Sequence, residues 1–147
     1  MSDPVMPQAR PAHLGWRLFA LVYDFFPVLA LWFVGSGLVL LLRGGEPVQP
    51  GSLAAWAELL LLWALAGAYA VLSWRRGGQT LGMRPWRLKV VAANGRPAST
   101  RALLLRYAIA TLSLAAAGLG FLWSLIDRDR RSWHDLAAGT LLVRVEK

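Results

Sequence analysis

The side chains of this sequence that could carry chemistry are a few charges set inside long apolar runs. Asp24 follows Arg17 by seven positions, which on a helix is about 10 Å along the axis and nearly the same face. Arg106, near the start of a later apolar run, is a second candidate partner for this acid. A carboxylate within an apolar membrane segment could bind a cation or carry a proton, or it could form an interhelical ion pair that fixes the packing of the helices.

A second polar group lies near the end of the chain. Asp127, Asp129 and Asp135 alternate with several arginines, and His134 precedes the last of these acids. Two interpretations remain open: a solvated turn whose charges pair with one another, or a polar plug that docks against the first helix. His134 and Asp135 are also a candidate proton-relay pair.

The composition excludes several classes of chemistry. The chain has no cysteine, so disulfides, cysteine-ligated metals and thiol catalysis are excluded. Its two histidines, His13 and His134, do not make a metal site, and Ser132 has no predicted orienting partner. We therefore expect a protein that is not an enzyme and has no catalytic residue, bound metal or cofactor.

The same composition predicts a membrane protein. Hydrophobic residues make up 56% of the 147 positions and charged residues only 16%, yet the formal net charge is +8. Soluble domains are usually about one quarter charged. High apolar content combined with basic loops is typical of a small integral membrane protein.

Three apolar runs must position the charged residues. The expected spans are about 14–42, 53–74 and 103–126. The first would be a helix of about 43 Å, longer than the ~30 Å hydrocarbon core. The predicted fold is an all-α integral membrane protein with three hydrophobic helical segments. Residues 1–13 would be an irregular proline-containing arm, 14–145 the transmembrane domain and 146–147 a tail.

Residues 75–101 form a basic connector that contains seven arginines or lysines and no acid. A nucleic-acid site is one interpretation, but anionic lipid headgroups are favoured because cytoplasmic loops of membrane proteins are basic. Leu88 to Ala92 alternates in polarity before the turn dipeptide Asn94-Gly95, and 140–145 has similar β character. These segments could pair as a short β ribbon.

The distribution of basic residues predicts the orientation. The connector and Arg106 together carry eight, against Arg43 alone in the loop between the first two runs, so the N-terminus and the connector are predicted to be cytoplasmic. The third run has 24 residues, a good length for one crossing. We predict three crossings on that length. The alternative is a re-entrant run that breaks near Gly118–Gly120 and returns the tail to the cytoplasmic side.

Several short motifs, in order, resemble the RDD family of small membrane proteins over roughly residues 14–145. They are Arg17 with Asp24, Gly78-Gln-Thr-Leu-Gly82, Arg87-Leu-Lys-Val-Val91, Asn94-Gly95-Arg96, Asp127-Arg-Asp-Arg-Arg131 and His134-Asp135-Leu-Ala-Ala-Gly-Thr140 with Val143. The family is named for one arginine and two aspartates, which the resemblance places at Arg17, Asp24 and Asp135. The chain departs from the family pattern at two positions. At Met83 the family frequently has a lysine, and at His134 it frequently has a glycine.

Two functions follow as hypotheses, and both place the protein in a bacterial inner membrane as a multi-pass protein. The first is an accessory protein that binds a membrane-protein partner or a second copy of itself. Its charge cluster of Arg17, Asp24 and Arg106, with Asp135 and His134 nearby, would be structural. The second, which the resemblance also suggests, is an oligomeric transporter of a monovalent cation or proton, with Asp24 as the titrating residue.

Overall fold

The computed structural model describes residues 9–92, 94–116, 122–127 and 132–145. In chain order, the helices are α1 (Leu14–Leu42), α2 (Leu53–Gly77), α3 (Thr100–Ala115) and the short α4 (Trp133–Ala138). The strands are β1 (Ala9–Pro11), β2 (Leu88–Ala92) and β3 (Thr140–Val145). Single 3₁₀ turns lie at Arg84–Trp86 and Trp123–Leu125.

Helices α1 and α2 are long enough and apolar enough to cross a membrane. Their most apolar windows are only 6% and 17% buried, whereas the core helix of a soluble protein would be largely covered. Large apolar side chains such as Phe33, Leu42 and Leu53 are exposed along both helices. Apolar surface on this scale is expected where lipid is the solvent, and the protein is therefore a membrane protein.

Polar contacts join the three longer helices within the apolar region. The indole N–H of Trp32 on α1 donates to the Leu62 carbonyl of α2 at 2.9 Å. Between α2 and α3, Trp63 donates to Thr111 Oγ1 at 3.0 Å and the Tyr107 hydroxyl donates to the Trp63 carbonyl at 2.7 Å. Because lipid offers no hydrogen bonds, such contacts satisfy polar groups internally and fix how the helices pack.

The three strands form one antiparallel sheet in the order β1-β3-β2. In the register of β3 with β2, Val90 faces Leu142, and in its register with β1, Arg10 faces Arg144. The strand that comes last in the chain is therefore the central one, and it joins a strand that precedes α1 to a strand that follows α2.

This sheet bears on the number of crossings. Since α1 and α2 run out and back, β1 and β2 lie at the same end of the helix pair, and the pairing of β3 places it there too. Helix α3 has 16 residues, about 24 Å, and the chain returns to the sheet after it. The prediction of three complete crossings is not confirmed, and the sheet favours the re-entrant alternative. The expected break near Gly118–Gly120 lies outside the described residues.

Two further expectations need correction. The fold is mostly helical but not purely so, because the sheet is part of it. Residues 1–13 are not wholly irregular, since Ala9–Pro11 forms β1 and Ala12 N–H donates to the Leu142 carbonyl at 3.0 Å. Residues 1–8 and 146–147 lie outside the described part of the chain.

The core lies between the sheet and the adjoining ends of the helices. Ala12, Ala20, Leu88, Leu103 and Leu142 are buried there, and the half-buried rings of three tryptophans pack around them. The sheet is therefore a module packed on one end of the bundle, and the charged residues predicted from the sequence lie where the two meet.

Candidate functional site

The carboxylate of Asp135 lies at the junction between the bundle and the sheet and binds two arginines. Arg17 of α1 donates from Nη1 to Oδ2 at 2.7 Å, and Arg106 of α3 donates from Nη1 to Oδ1. All three residues are at least 97% buried. One acid therefore links α1, α3 and α4, and both of its oxygens are occupied by guanidinium groups.

Neighbouring groups complete this arrangement, which we call the Asp135 cluster: Arg17, Arg106, Ser132, His134, Asp135 and Thr140. Arg106 Nη1 also donates to Thr140 Oγ1 at 3.0 Å, at the start of β3. Arg17 Nε donates to the Ala12 carbonyl at 3.4 Å, between β1 and α1. The cluster thus contacts both the bundle and the sheet.

Ser132 and Asp135 form a capping box at the start of α4. Ser132 N–H donates to Asp135 Oδ2 at 3.0 Å, and its hydroxyl donates to the same oxygen at 2.9 Å. A capping box satisfies backbone N–H groups that a helix start leaves without partners. The capping box therefore orients the Asp135 side chain toward Arg17 and Arg106.

His134 contacts the same hydroxyl, with Nε2 2.8 Å from Ser132 Oγ. A hydroxyl has one proton, and Ser132 donates it to Asp135, so the shared proton belongs to His134 Nε2. This pair differs from a nucleophile and its base, because the serine is directed at the acid and is fully buried. These hydrogen bonds stabilise the start of α4.

The electrostatics of the cluster keep Asp135 charged and His134 neutral. Burial alone would raise the pKa of the Asp135 carboxyl, but Arg106 and Arg17 together outweigh it and hold that pKa well below its ordinary value. Burial, and then the positive charge of Arg106, lower the pKa of His134 well below 6.5. The cluster is therefore two cations and one anion at neutral pH.

Arg106 also lies on an aromatic ring, with its guanidinium carbon 5.2 Å from the centre of the Trp74 ring. A desolvated cation–π contact of this kind contributes about 2 kcal/mol. Among the described residues, Arg106 Nε and Trp74 Nε1 find no hydrogen-bond acceptor. In the described part of the chain, Asp135 is thus the acid that compensates both cations, and Arg106 leaves one of its donors unused.

Asp24 lies in a second polar site, formed by α1, α2 and the loop after α2. Its Oδ1 accepts from the Tyr69 hydroxyl at 2.7 Å and from Gly82 N–H at 2.8 Å. Its Oδ2 accepts from the Thr80 hydroxyl at 2.6 Å. Tyr69 Oη in turn accepts from Leu81 N–H at 3.1 Å. Asp24 therefore fastens the loop that leads into β2 onto α1.

Close packing at Gly82 makes this contact specific. A Cβ added there would lie 2.3 Å from the Ala20 carbonyl oxygen and 2.6 Å from Asp24 Cγ, both too short for a side chain. The loop can approach α1 this closely only because position 82 has no side chain. The close approach of the loop to α1 therefore explains why position 82 of the Gly78–Gly82 motif is a glycine.

The structure brings four of the five predicted site residues together and leaves the fifth apart. Arg17, Arg106, His134 and Asp135 share one cluster. Asp24 pairs with neither arginine, and within the described residues its partners are neutral donors. The prediction that Asp24 is the acid of the arginine cluster is therefore wrong. The polar-plug interpretation describes Asp135, which docks on α1 through Arg17. Asp129 lies outside the described residues.

Several site residues were missed in the sequence. Ser132 lies three positions before an acid, which is a known signal for the start of a helix. That signal could have identified Ser132 as a site residue. Thr80 and Gly82 belong to a motif that was noted without being connected to Asp24. Tyr69 and Thr140 have no sequence signature that separates them from other residues in or beside apolar segments.

An open cavity of about 460 Å³ lies between the two polar sites and is lined mainly by α1, α2 and α3. Asp24 and Tyr69 line it on one side, and Arg17, Arg106 and His134 line it on the other. Its remaining wall is largely apolar and aromatic. In the part of the chain that the structure describes, no group of three histidine or acidic side chains converges in a way that could hold a metal ion.

Comparison with known proteins agrees with the motifs quoted above. The chain matches the RDD family over residues 11–139, which is most of its length. It has no significant match among curated proteins or solved structures. The match includes Arg17, Asp24 and Asp135, and it runs from the end of β1 to the residue before β3. The chain belongs to the RDD family.

Proposed function

We propose that this protein is a non-enzymatic accessory protein of the bacterial inner membrane that binds a membrane partner, and that the Asp135 cluster is structural. The observation that carries this proposal is the saturation of Asp135. Its two oxygens accept from Arg17 and Arg106, it also accepts from Ser132, and it is fully buried. A carboxylate held in this way fixes the sheet module on the bundle and is not free to exchange ligands.

The proposed orientation places the sheet in the cytoplasm. The arginines and lysine of the connector all lie at the sheet end of the bundle, and the loop at the opposite end carries only Arg43. Basic residues favour the cytoplasmic side and the anionic headgroups there. The N-terminus and the tail beyond β3 are then both cytoplasmic.

The partner is proposed to be another membrane protein or a second copy of this chain. The helices α1 and α2, together with the shorter α3, expose long apolar faces. These faces include Phe26 and Leu41 on α1 and Trp56 on α2. Small bundles of this kind commonly complete their packing against other helices in the bilayer. We therefore place the binding surface on the exposed faces of α1 and α2.

A photo-crosslinking amino acid at Phe33, which is 72% exposed, tests this proposal in intact cells. We expect one discrete adduct with a defined mass. The matched control is the same substitution at Gln49, an exposed residue of the loop between α1 and α2, which should give no adduct. The absence of any adduct from α1 and α2 positions would contradict partner binding.

A second candidate function is a cation or proton transporter that works as an oligomer, with Asp24 as the titrating group. The cavity favours it, because the cavity reaches Asp24 and both buried arginines. Proteoliposomes with a pH gradient and a trapped pH dye separate the two candidates. The accessory role predicts no flux above protein-free vesicles. Transport predicts flux that Asp24→Asn abolishes and that the control Glu46→Gln, in an exposed loop, leaves intact.

A further inference from the structure

A groove of about 570 Å³ lies on the outside of the bundle, between α1, α2 and the loop that follows α2. Leu31, Leu65 and Leu72 belong to its apolar lining, and Leu81 of the loop also lines it. From Leu65 to Arg76 is eleven residues of α2, about 16 Å along the helix. The groove therefore extends from the sheet end well into the apolar region.

The end of the groove nearest the sheet, which we call its mouth, is basic. Arg76, in the last turn of α2, and Arg84, in the 3₁₀ turn before β2, both line it and are exposed. No acid lines the groove, and neither arginine has an acidic partner among the described residues. The neutral polar groups of the lining are the Tyr69 and Ser73 hydroxyls and the Gln79 amide. Two guanidinium groups at this end of the groove can bind the negative charge of a phosphate.

The apolar part and the basic part of the groove together define one ligand. Water does not fill an apolar groove open to the hydrocarbon core, but an acyl chain does. An anion without an acyl chain would use the two arginines and leave the groove empty. The backbone at the end of α2 carries the negative end of the helix dipole, so the anion must be held by the arginine side chains.

We propose that this groove, with Arg76 and Arg84 at its mouth and Leu31, Leu65 and Leu72 along its length, is a binding site for one anionic phospholipid. The phosphate binds between the two guanidinium groups, and one acyl chain lies along α2. The proposal depends on α1 and α2 being in a membrane, and it holds whether the protein is an accessory protein or a transporter.

Binding can be measured by native mass spectrometry of the purified full chain in detergent, with phosphatidylglycerol or phosphatidylcholine of identical acyl chains added. We expect the wild type to retain one phosphatidylglycerol with an affinity about tenfold or more above that for phosphatidylcholine, since two basic side chains contact the anionic headgroup. Arg76→Gln/Arg84→Gln should lose that preference.

Two matched controls separate the site from general surface charge. Arg75→Gln/Arg101→Gln removes the same charge from exposed arginines at the same end that do not line the groove, and it should keep most of the preference. Ala68→Trp fills the groove while both arginines remain, and it should abolish lipid retention. Ala64→Trp, one turn away and outside the groove, should not. Circular dichroism and size exclusion establish that each variant is folded.

Three results would overturn the proposal. The first is equal retention of the two lipids by the wild type. The second is an equal loss of preference in both arginine pairs. The third is full competition by inorganic phosphate together with normal retention in Ala68→Trp, which would show a site for a free anion. Arg76→Lys/Arg84→Lys, which preserves the charge, is expected to retain part of the preference.

Discussion

Arg17 and Arg106 bind opposite oxygens of one carboxylate, Asp135, although they belong to different helices. This relationship makes the acid the common partner of α1 and α3. Its removal would take from two buried cations the carboxylate that they share, whereas removal of one arginine would leave the acid still paired with the other. The three residues therefore differ in how much stability depends on them.

We predict that Asp135→Asn lowers the free energy of unfolding by about 3–5 kcal/mol, because breaking a buried ion pair from one side leaves uncompensated charge. Thermal unfolding in detergent measures this effect. The control Glu46→Gln, the same chemical change in an exposed loop, should stay within about 0.5 kcal/mol. Replacement of all three residues, as Arg17→Met/Arg106→Met/Asp135→Leu, should recover much of the loss. Strictly additive losses would show that the residues do not act as a unit.

The contact between Asp24 and the loop leads to a second prediction. Gly82→Ala should destabilise the protein by about 1–3 kcal/mol, because the new methyl group overlaps the Ala20 carbonyl and the Asp24 side chain. Gly77→Ala is the matched control, since nothing lies within 4 Å of its added Cβ. Unfolding in detergent is the measurement. Equal stability of the two variants would contradict the described contact.

The side of the membrane on which each loop lies can be tested directly because the chain has no cysteine. Single cysteines at Asn94 and Ala137 should react with an impermeant thiol reagent only in inverted or opened membranes. A cysteine at Gln49 should react in intact cells. If the cysteine at position 137 is labelled in intact cells while the cysteine at position 94 is protected, the third run crosses the membrane.

The pH dependence of stability should depend on His134. Its pKa is lowered from 6.5 by burial, so below pH 6.5 the unfolded chain binds a proton that the folded chain does not. Stability is then present above pH 6.5 and falls on acidification, by up to about 1.4 kcal/mol per pH unit. Melting temperatures between pH 7 and pH 5 measure the slope. His134→Gln should flatten it, and His13→Gln, at an exposed position, should not.

The acid Asp135 acts over a different pH range. Its pKa is depressed by Arg106 and Arg17 against the opposing effect of burial, so its contribution to stability is present above its unfolded value and is lost only in strong acid. A loss of stability between pH 7 and pH 5 that survives in His134→Gln would therefore not come from Asp135.

The sequence predicted α1 and the start of α2 correctly because uninterrupted apolar runs have few alternatives in a membrane protein. The second apolar span was predicted to end at about 74, where Arg75 and Arg76 follow, and the helix itself continues to its cap at Gly78. For the third run, the crossing of the membrane stays a prediction. Its length alone fits a crossing, and the pairing of β3 is a long-range contact that hydropathy does not encode.

The partner of Asp24 was misjudged for an energetic reason. The argument required a base for a buried acid, but two hydroxyl groups and a backbone N–H satisfy its oxygens as well. Arg17 and Arg106 were predicted to be partners of Asp24, and both instead bind Asp135. Apart from the family resemblance, only the polar-plug interpretation connected Asp135 with the first helix, because Asp135 lies far from both arginines in the sequence.

The central position of β3 has a consequence for the order of events on the ribosome. β1 and β2 both form ladders with β3, so the sheet gains its central strand only when the last of its three strands has been synthesised. Arg17 and Arg106 likewise emerge well before Asp135, and until then neither can be buried beside its counter-ion. Helices α1 and α2 can insert early, but the end of the bundle that carries the sheet must stay open to water until residue 145 has left the exit tunnel.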